Sequence, residues 1–426
     1  MQHLSNPSPA AGRNAGRLGA LPFLVLIGSL GFLAACDSLV QVAAPSRVIA
    51  EGLFVPANAV LLTNSAQADF ECALAGYAVA GGMVGNELEV GTTLIVMKEY
   101  DKRDFKTFGS IYTESTCESQ GAPGVYKPLS VARFQADTLA RLLQAWTDEE
   151  VPDRQTLLAR AASYAGYAYV LMGEGMCSAA FDLGPEQTPA EIFQAAETRF
   201  GTAIAAAQAA GNQNLLALAR VGRARARLRL AKAADAAADA QGVPAGFRYD
   251  ASYDATSPRR RNAVSANLDL FQDITVDTSY RRRNDPRVDA YDTGRKASDG
   301  VTDLWSTHKY TGVDAPIAIA TWEEAQLIQA EAVGGQAAVG IINTLRSKVG
   351  LPPFSSTDPT QIKAQIVEER QMQFFLDGHH LGDIRQYGIP LSPPAGYPFK
   401  DGGGTYVDQK CFPLPDNERL NNPNIH

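Results

Sequence analysis

Thiols, paired charges and aromatic rings are the residues of this chain whose chemistry type and spacing can reveal. Five cysteines are present, Cys36, Cys72, Cys117, Cys177 and Cys411, with no C-x-x-C pair among them. A structural zinc site needs clustered ligands, so this spacing argues against metal. His379-His380-x-x-Asp383 brings two imidazoles and a carboxylate close in sequence; zinc ligands are normally better separated, and no metal or other cofactor is expected there. The chain has no G-x-S-x-G elbow, no H-E-x-x-H helix and no G-x-x-x-x-G-K-[ST] loop. It is therefore read as a non-enzyme. A glycosidase stays open as an alternative, because the separation of two carboxylates cannot be measured in a sequence.

The first cysteine sits in a distinctive place. Residues 1–35 contain no acidic residue and no lysine, only Arg13 and Arg17 ahead of an uncharged run from Leu18 to Ala35. A basic start, an apolar middle and small residues before a cut point mark an export signal. A membrane-spanning anchor is the alternative, though Pro22, the glycines and the small residues before Cys36 favour the signal. Leu33-Ala34-Ala35-Cys36 resembles the bacterial lipobox, in which the signal is cut before a cysteine that carries lipid. This makes Cys36 the lipidation site, residues 1–35 the signal peptide and 36–50 a tether. Acyl chains such as palmitate add about 0.8 kcal/mol of membrane affinity per buried CH₂. Asp37 resembles an inner-membrane retention signal of enteric bacteria, so the membrane involved stays open. In an exported chain the remaining cysteines are expected to form disulfides. Four cysteines allow three connectivities; Cys72–Cys117 with Cys177–Cys411 is preferred, because the first pair is close in sequence.

The composition sets outer bounds. Among 426 residues, 38 Lys+Arg face 46 Asp+Glu for a formal charge of −8, and 45% are apolar. These values fit a globular protein and exclude a multi-pass membrane or wholly disordered chain. Net acidity argues against nucleic acid, whose binding needs a concentrated basic face. The arginines between Arg220 and Arg229 fall all round a helix and read as a solvated, ion-paired surface.

The elements that must position these groups are mostly helices. Residues 57–81 are alanine-rich without internal proline. Val131, Phe134, Leu139, Leu142 and Leu143 fall near one helical face, and Leu157, Leu158, Ala161, Ala165, Ala168, Leu171 and Met172 repeat at helical spacing. Thr188-Pro189-Ala190-Glu191 has the capping-box pattern. Residues 215–244 and 321–352 each read as a helical hairpin of about 30 residues, near the tetratricopeptide period. Residues 82–127, 245–320 and 387–426 lose the helical period and gain Tyr, Asp, Arg, Gly and Pro. The predicted fold is mostly α, a tetratricopeptide-like scaffold with long irregular insertions, spanning 51–426 as one domain.

Phrases in fixed order within the second half carry a family resemblance. They are Asn284-Asp285-Pro286-Arg287, His308-Lys309-Tyr310 with Asp314-Ala315-Pro316, and Thr321-Trp322-Glu323-Glu324-Ala325 running on to Glu331-Ala332. Next come Leu345-Arg346 with Gly350-Leu351-Pro352, then Glu368-Glu369-Arg370, then Asp377-Gly378-His379-His380 with Asp383-Ile384-Arg385. Phe412-Pro413-Leu414-Pro415 and Asn422-Pro423-Asn424 close the series. Together with the lipobox they resemble the SusD/RagB family of nutrient-uptake lipoproteins. Departures are His380 in place of the usual Arg, Gly382 in place of an aromatic, and Gln386-Tyr387 in place of Arg-Trp.

The resemblance implies an outer-membrane lipoprotein, lipid-anchored on the cell-surface side. It would bind a nutrient such as a glycan and act as a lid on a SusC-like TonB-dependent barrel, with no nucleic-acid partner. Sugar binding calls for flat rings against C–H faces, so Trp305, Tyr310, Tyr280, Tyr291, Tyr112 and Tyr126 are the ligand candidates. A tetratricopeptide-like scaffold that binds a protein partner is the rival reading. Alternating charges at Glu369, Arg370, Asp383 and Arg385 suit an ion-pair network where the helix and the following chain dock.

Overall fold

Alanine gives up no side-chain entropy in a helix, and the alanine-rich stretches fold accordingly. The computed structural model describes residues 50–117 and 122–425. The signal segment 1–35, Cys36 and the tether through residue 49 lie outside the described residues. From Phe54 onward the chain packs as one unit. Its long helices are α1 (Ala59–Val84), α2 (Tyr126–Ala145), α3 (Arg154–Gly175), α4 (Pro189–Ala209), α5 (Gln213–Arg229) and α6 (Ala233–Gln241). After an excursion come α7 (Trp322–Val333), α8 (Gly335–Lys348), α9 (Pro359–Gln373) and α10 (His380–Tyr387). Each helix packs on its predecessor from α1 to α6, and α7 resumes the stack against α6. The fold is mostly α and tetratricopeptide-like, as the sequence leads one to expect. Among the described residues no helix is long and apolar enough to cross a membrane.

Local signals explain several boundaries. The Thr188 hydroxyl accepts from the Glu191 amide at 3.4 Å while the Glu191 carboxylate accepts from the Thr188 amide at 2.7 Å, completing the capping box of α4. Gly334, between α7 and α8, and Gly335, which opens α8, adopt φ of 61° and 54°, positive values that other residues resist. The predicted face of α2 needs correction. Val131 and Phe134 are 41% and 44% exposed, while Leu129, Ala132, Ala136, Leu139 and Leu143 are buried. The inward face is rotated because Arg133 lies on it, pairing with Asp182 at 2.7 Å and stacking over Phe181.

Much of the 245–320 insertion and a piece of 82–127 form short ribbons, where the sequence reading expects a region without regular structure. Among its described residues, 387–426 contains only isolated bridges and the short helix Asp416–Leu420. Strands β1 (Leu88–Val90), β2 (Ala179–Ala180), β3 (Glu186–Gln187), β4 (Arg248–Ala251), β5 (Ile274–Val276), β6 (Ala290–Lys296), β7 (Asp303–Thr307) and β8 (Ile317–Thr321) pair antiparallel as β1–β5, β2–β3, β4–β8 and β6–β7. Buried backbone groups need partners, and these pairings supply them without helical periodicity. The β4–β8 pairing sets Arg248 opposite Thr321. It closes the excursion at its base and returns the chain to α7. The excursion is also tied to α1, where Arg260 reaches Glu71 at 2.9 Å and Arg259 pairs with Asp69.

Two disulfides hold irregular chain to helices. Cys72 of α1 joins Cys117, and Cys177, just past α3, joins Cys411. Beside the second, Met176 and Phe412 form an isolated parallel bridge.

Close helix contact depends on small residues. The Phe200 ring of α4 lies against Gly166 of α3 and Gly222 of α5, where an added Cβ would come within 2.7 Å and 2.2 Å of it. Overpacking at such a point costs about 1–3 kcal/mol. Gly222→Ala is therefore expected to lower the thermal midpoint. Gly201→Ala, at a helical position with open space beyond it, is expected to hold or raise it. Equal midpoints for both variants in thermal unfolding would refute this account of the packing.

Candidate functional site

Four of the ordered phrases meet at one cavity of about 160 Å³, whose charged groups face an apolar wall of Ala318, Ile319 and Ala320 from β8. Arg287 comes from the Asp-Pro-Arg element, Lys309 from His-Lys-Tyr, and Thr321 with Glu324 from the start of α7. Gln373, Phe374, Asp377 and His379 come from the end of α9 and the turn before α10, and Arg248 comes from β4. Lys309 Nζ pairs with Asp377 at 2.8 Å, and the Tyr310 hydroxyl donates to the same carboxylate at 2.6 Å. Arg287 holds Asp285 at 2.6 Å and Glu369 at 2.7 Å, and Arg346 reaches the other oxygen of Glu369 at 2.7 Å.

Behind the cavity lies a buried charge network. Glu174, at the end of α3, pairs with Arg225 and with Arg229 of α5, the latter at 2.8 Å. Arg229 continues to Asp383 of α10 at 2.8 Å, which Arg370 of α9 also holds at 2.8 Å. Arg225 also donates to His379 Nε2 at 3.0 Å and lies 3.8 Å from Glu324. The solvated reading of the 220–229 arginines is thus half corrected. Arg223 and Arg227 do pair near the surface with Asp239 and Glu197. Arg225 and Arg229 instead have only 4% and 3% of their side chains exposed, because Glu174 and Asp383 attract them inward. The sequence signal was available: Glu174 is the sole charged residue between Arg160 and the end of α3, and an isolated carboxylate in an apolar helix calls for a buried partner.

Burial and neighbours set the protonation states. Burial by itself would raise Glu174 and Asp383, but the arginines prevail and lower both, Asp383 to about 2. Glu324 goes the other way: burial lifts it to about 7 against the pull of Arg225 and Arg370. Burial likewise raises Glu87, whose carboxylate accepts from the Leu376 amide, to about 8. His379 falls well below its usual value through burial and then the field of Arg225, Arg370, Arg229 and Lys309. Burial lowers His380 to about 4. Both histidines are therefore neutral. His379 stacks on Phe374 at 4.2 Å between centroids, and the His380 ring meets Tyr280 edge-on.

Gly382 has a packing reason for departing from the phrase's usual aromatic. A Cβ there would sit 2.7 Å from the Glu174 carboxyl carbon and 3.0 Å from Arg229. The charge network fills the room that a ring would need. Arg385 braces the same corner, donating to the carbonyls of Glu174 and Met176, each at 2.8 Å.

Most of the sequence-named rings are packed rather than presented. Tyr112, Tyr126, Tyr280 and Tyr310 are no more than 3% exposed. Tyr112 stacks on Phe412 and donates to the Pro413 carbonyl, and Tyr126 donates to the Ala180 carbonyl. Tyr280 stacks on Phe375, and Trp305 is 9% exposed beneath Arg281 and Arg282. Burying a ring recovers far more apolar surface than presenting it, provided its polar atom finds a partner. Tyr291 alone of the six stays partly exposed, stacked on His308 at 4.2 Å. Sequence reasoning missed Phe108 and Tyr397, which are 67% and 57% exposed. Neither stands in a phrase or period that would single it out.

No protein-family model matches the sequence, and no curated protein matches it. Solved structures do. A SusD-like carbohydrate-binding protein from Bacteroides vulgatus matches with a TM-score of 0.65 at 13% identity, over 87% of this chain and 97% of its own. A SusD superfamily protein from the same species matches with 0.62 at 12% identity, over 87% and 98%. A laminarin-binding SusD-like protein matches with 0.59 at 13% identity, over 85% and 98%. The chain has the SusD-like fold, the one its ordered phrases resemble.

Glu324 yields a measurable consequence. A carboxyl near 4.5 when unfolded and near 7 when folded binds more protons in the native state between those values, so its contribution to stability falls as pH rises through that window. The neutral isostere in Glu324→Gln removes this loss. The variant's gain in thermal midpoint over the parent is expected to grow from pH 5 to pH 8. A gain independent of pH would exclude an uncharged native Glu324.

Proposed function

We propose that this chain is a member of the SusD/RagB family, a glycan-capture lipoprotein that hands its ligand to a SusC-like TonB-dependent barrel. The observation that carries the reading is the SusD-like fold. It extends over 85–87% of the chain and nearly all of structures whose names specify carbohydrate or laminarin binding. The lipobox at Leu33-Ala34-Ala35-Cys36 supports attachment to a membrane, and the resemblance points to the outer membrane with the body on the cell-surface side. In this reading residues 1–35 are removed, 36–50 form the tether and 51–426 form the capture domain. The domain works by binding rather than by catalysis and swings as a lid over the barrel.

The partly exposed Tyr291 and the exposed Phe108 and Tyr397 are the rings available to lie against sugar C–H faces. Stacking of this kind fixes a glycan's plane, and neighbouring polar groups then select its hydroxyls.

Three measurements test the proposal. Cys36→Ser is expected to abolish incorporation of labelled palmitate and release the protein from the membrane fraction; label retained by the variant rules out Cys36 as the anchor. Affinity capture of the full chain from solubilised envelopes is expected to recover a large TonB-dependent barrel. Recovery of other partners without a barrel would favour the scaffold reading. Calorimetric titration with a glycan panel is expected to show binding without release of reducing ends, and hydrolysis would move the protein to the glycosidase class.

A further inference from the structure

The cavity where the phrases meet has hydrogen-bonding capacity that the fold does not use. Its volume of about 160 Å³ is comparable to an engineered cavity of ~150 Å³ that admits benzene, so a carboxylated ring would enter by its carboxylate end, with the rest toward the open side. His379 is 3% exposed. Arg225 Nη1 lies 3.0 Å from its Nε2. A guanidinium only donates, so Nε2 accepts and the proton sits on Nδ1. Among the described residues that Nδ1 has no hydrogen-bond partner, and neither does Oε1 of Glu324, which is 2% exposed and 3.8 Å from Arg225. A buried donor without a partner costs free energy that a ligand can restore.

The lining selects the ligand's charge. Arg248, Arg287 and Lys309 bring three cations to the wall, and Glu324 and Asp377 bring two carboxyl groups. Arg287 is satisfied by Asp285 and Glu369, and Lys309 by Asp377 and the Phe375 carbonyl. Arg248 uses Nε and Nη2 on Asp250, and its side chain is 53% exposed, which marks the open side. Burial first, and then Arg225, Arg370, Arg229 and Lys309, disfavour a second proton on the His379 ring. A cationic ligand would meet those four cations unfavourably. An oxyanion would meet them favourably and accept from the free donors.

We propose that this cavity binds a carboxylate on a ring-sized ligand, with His379 Nδ1 and Arg248 donating to it. A uronate residue of an acidic glycan and a free small carboxylate share that chemistry. Assigning it to a uronate rests on the glycan-capture reading, whereas the carboxylate site itself does not.

Calorimetric titration of the full chain in detergent with glucuronate, acetate and glucose tests this. Glucuronate is expected to bind and glucose not. Arg248→Ala is expected to weaken glucuronate by at least ~10-fold, or about 1.4 kcal/mol, with an unchanged thermal midpoint because the side chain is half exposed. In nitrogen-15 spectra, ligand is expected to shift the His379 Nδ1 resonance. Acetate bound as tightly as glucuronate would support the site and assign it to free carboxylates. Glucose bound equally well, an Arg248→Ala variant of parental affinity, or an unmoved His379 resonance would overturn the proposal. Neutral-glycan binding without carboxylate binding would sink the cavity proposal and leave glycan capture standing. Carboxylate binding without barrel recovery would do the reverse.

Discussion

The pairing of Glu174 with Arg225 and Arg229, carried on through Asp383 to Arg370, joins α3, α5, α9 and α10 in one buried network. Removing one member of such a network leaves an unpaired charge in a low-dielectric interior, typically at 3–5 kcal/mol. The geometry of those helices is therefore fixed more tightly than apolar contacts alone would fix it, since oil-like surfaces slide and hydrogen-bonded guanidinium groups do not. Gly382 illustrates the constraint. A residue with any side chain there would enter the space occupied by Glu174 and Arg229.

The insertions depend on the same framework. The 245–320 region leaves the stack after α6 and re-enters at α7, closed at its base by β4 and β8. Arg287 and Lys309 carry it down onto Glu369 and Asp377, next to the network. The C-terminal segment is held by Cys177–Cys411 and by Phe412 among Phe105, Tyr112 and Tyr100. A disulfide spanning 234 residues removes more denatured-state freedom than one closing a short loop. Long excursions are thus compatible with a rigid body, because each is tied to helices at several points. The cavity lies where these ties converge, and its wall inherits charged groups positioned for structural reasons.

Legibility varied with the range of the interaction. The capping box at Thr188, the helical hairpin at 321–352 and the apolar repeat of α3 are local, and the sequence showed them. The inward face of α2 was missed because Arg133 is attracted to Asp182, 49 residues away. Tyr280 and Tyr310 look like ligand rings in an irregular stretch, yet their neighbours Phe375 and Asp377 arrive from beyond residue 370 and bury them. The arginines of α5 posed the same difficulty. A helical wheel tells which ones share a side, and says nothing of which side meets a carboxylate.

Sequence alone determined the helical class, the hairpin periods, the export-and-lipid pattern ahead of Cys36, and the order of phrases that resembles the SusD/RagB family. Those features are written in neighbours within a few turns, or in the identity of residues at fixed spacing. The tertiary structure decided which charges are buried, which rings face solvent, and that four separated phrases share one cavity. Each of these depends on contacts between residues far apart in the chain, and burial, which sets protonation and exposure, exists only once those contacts have formed.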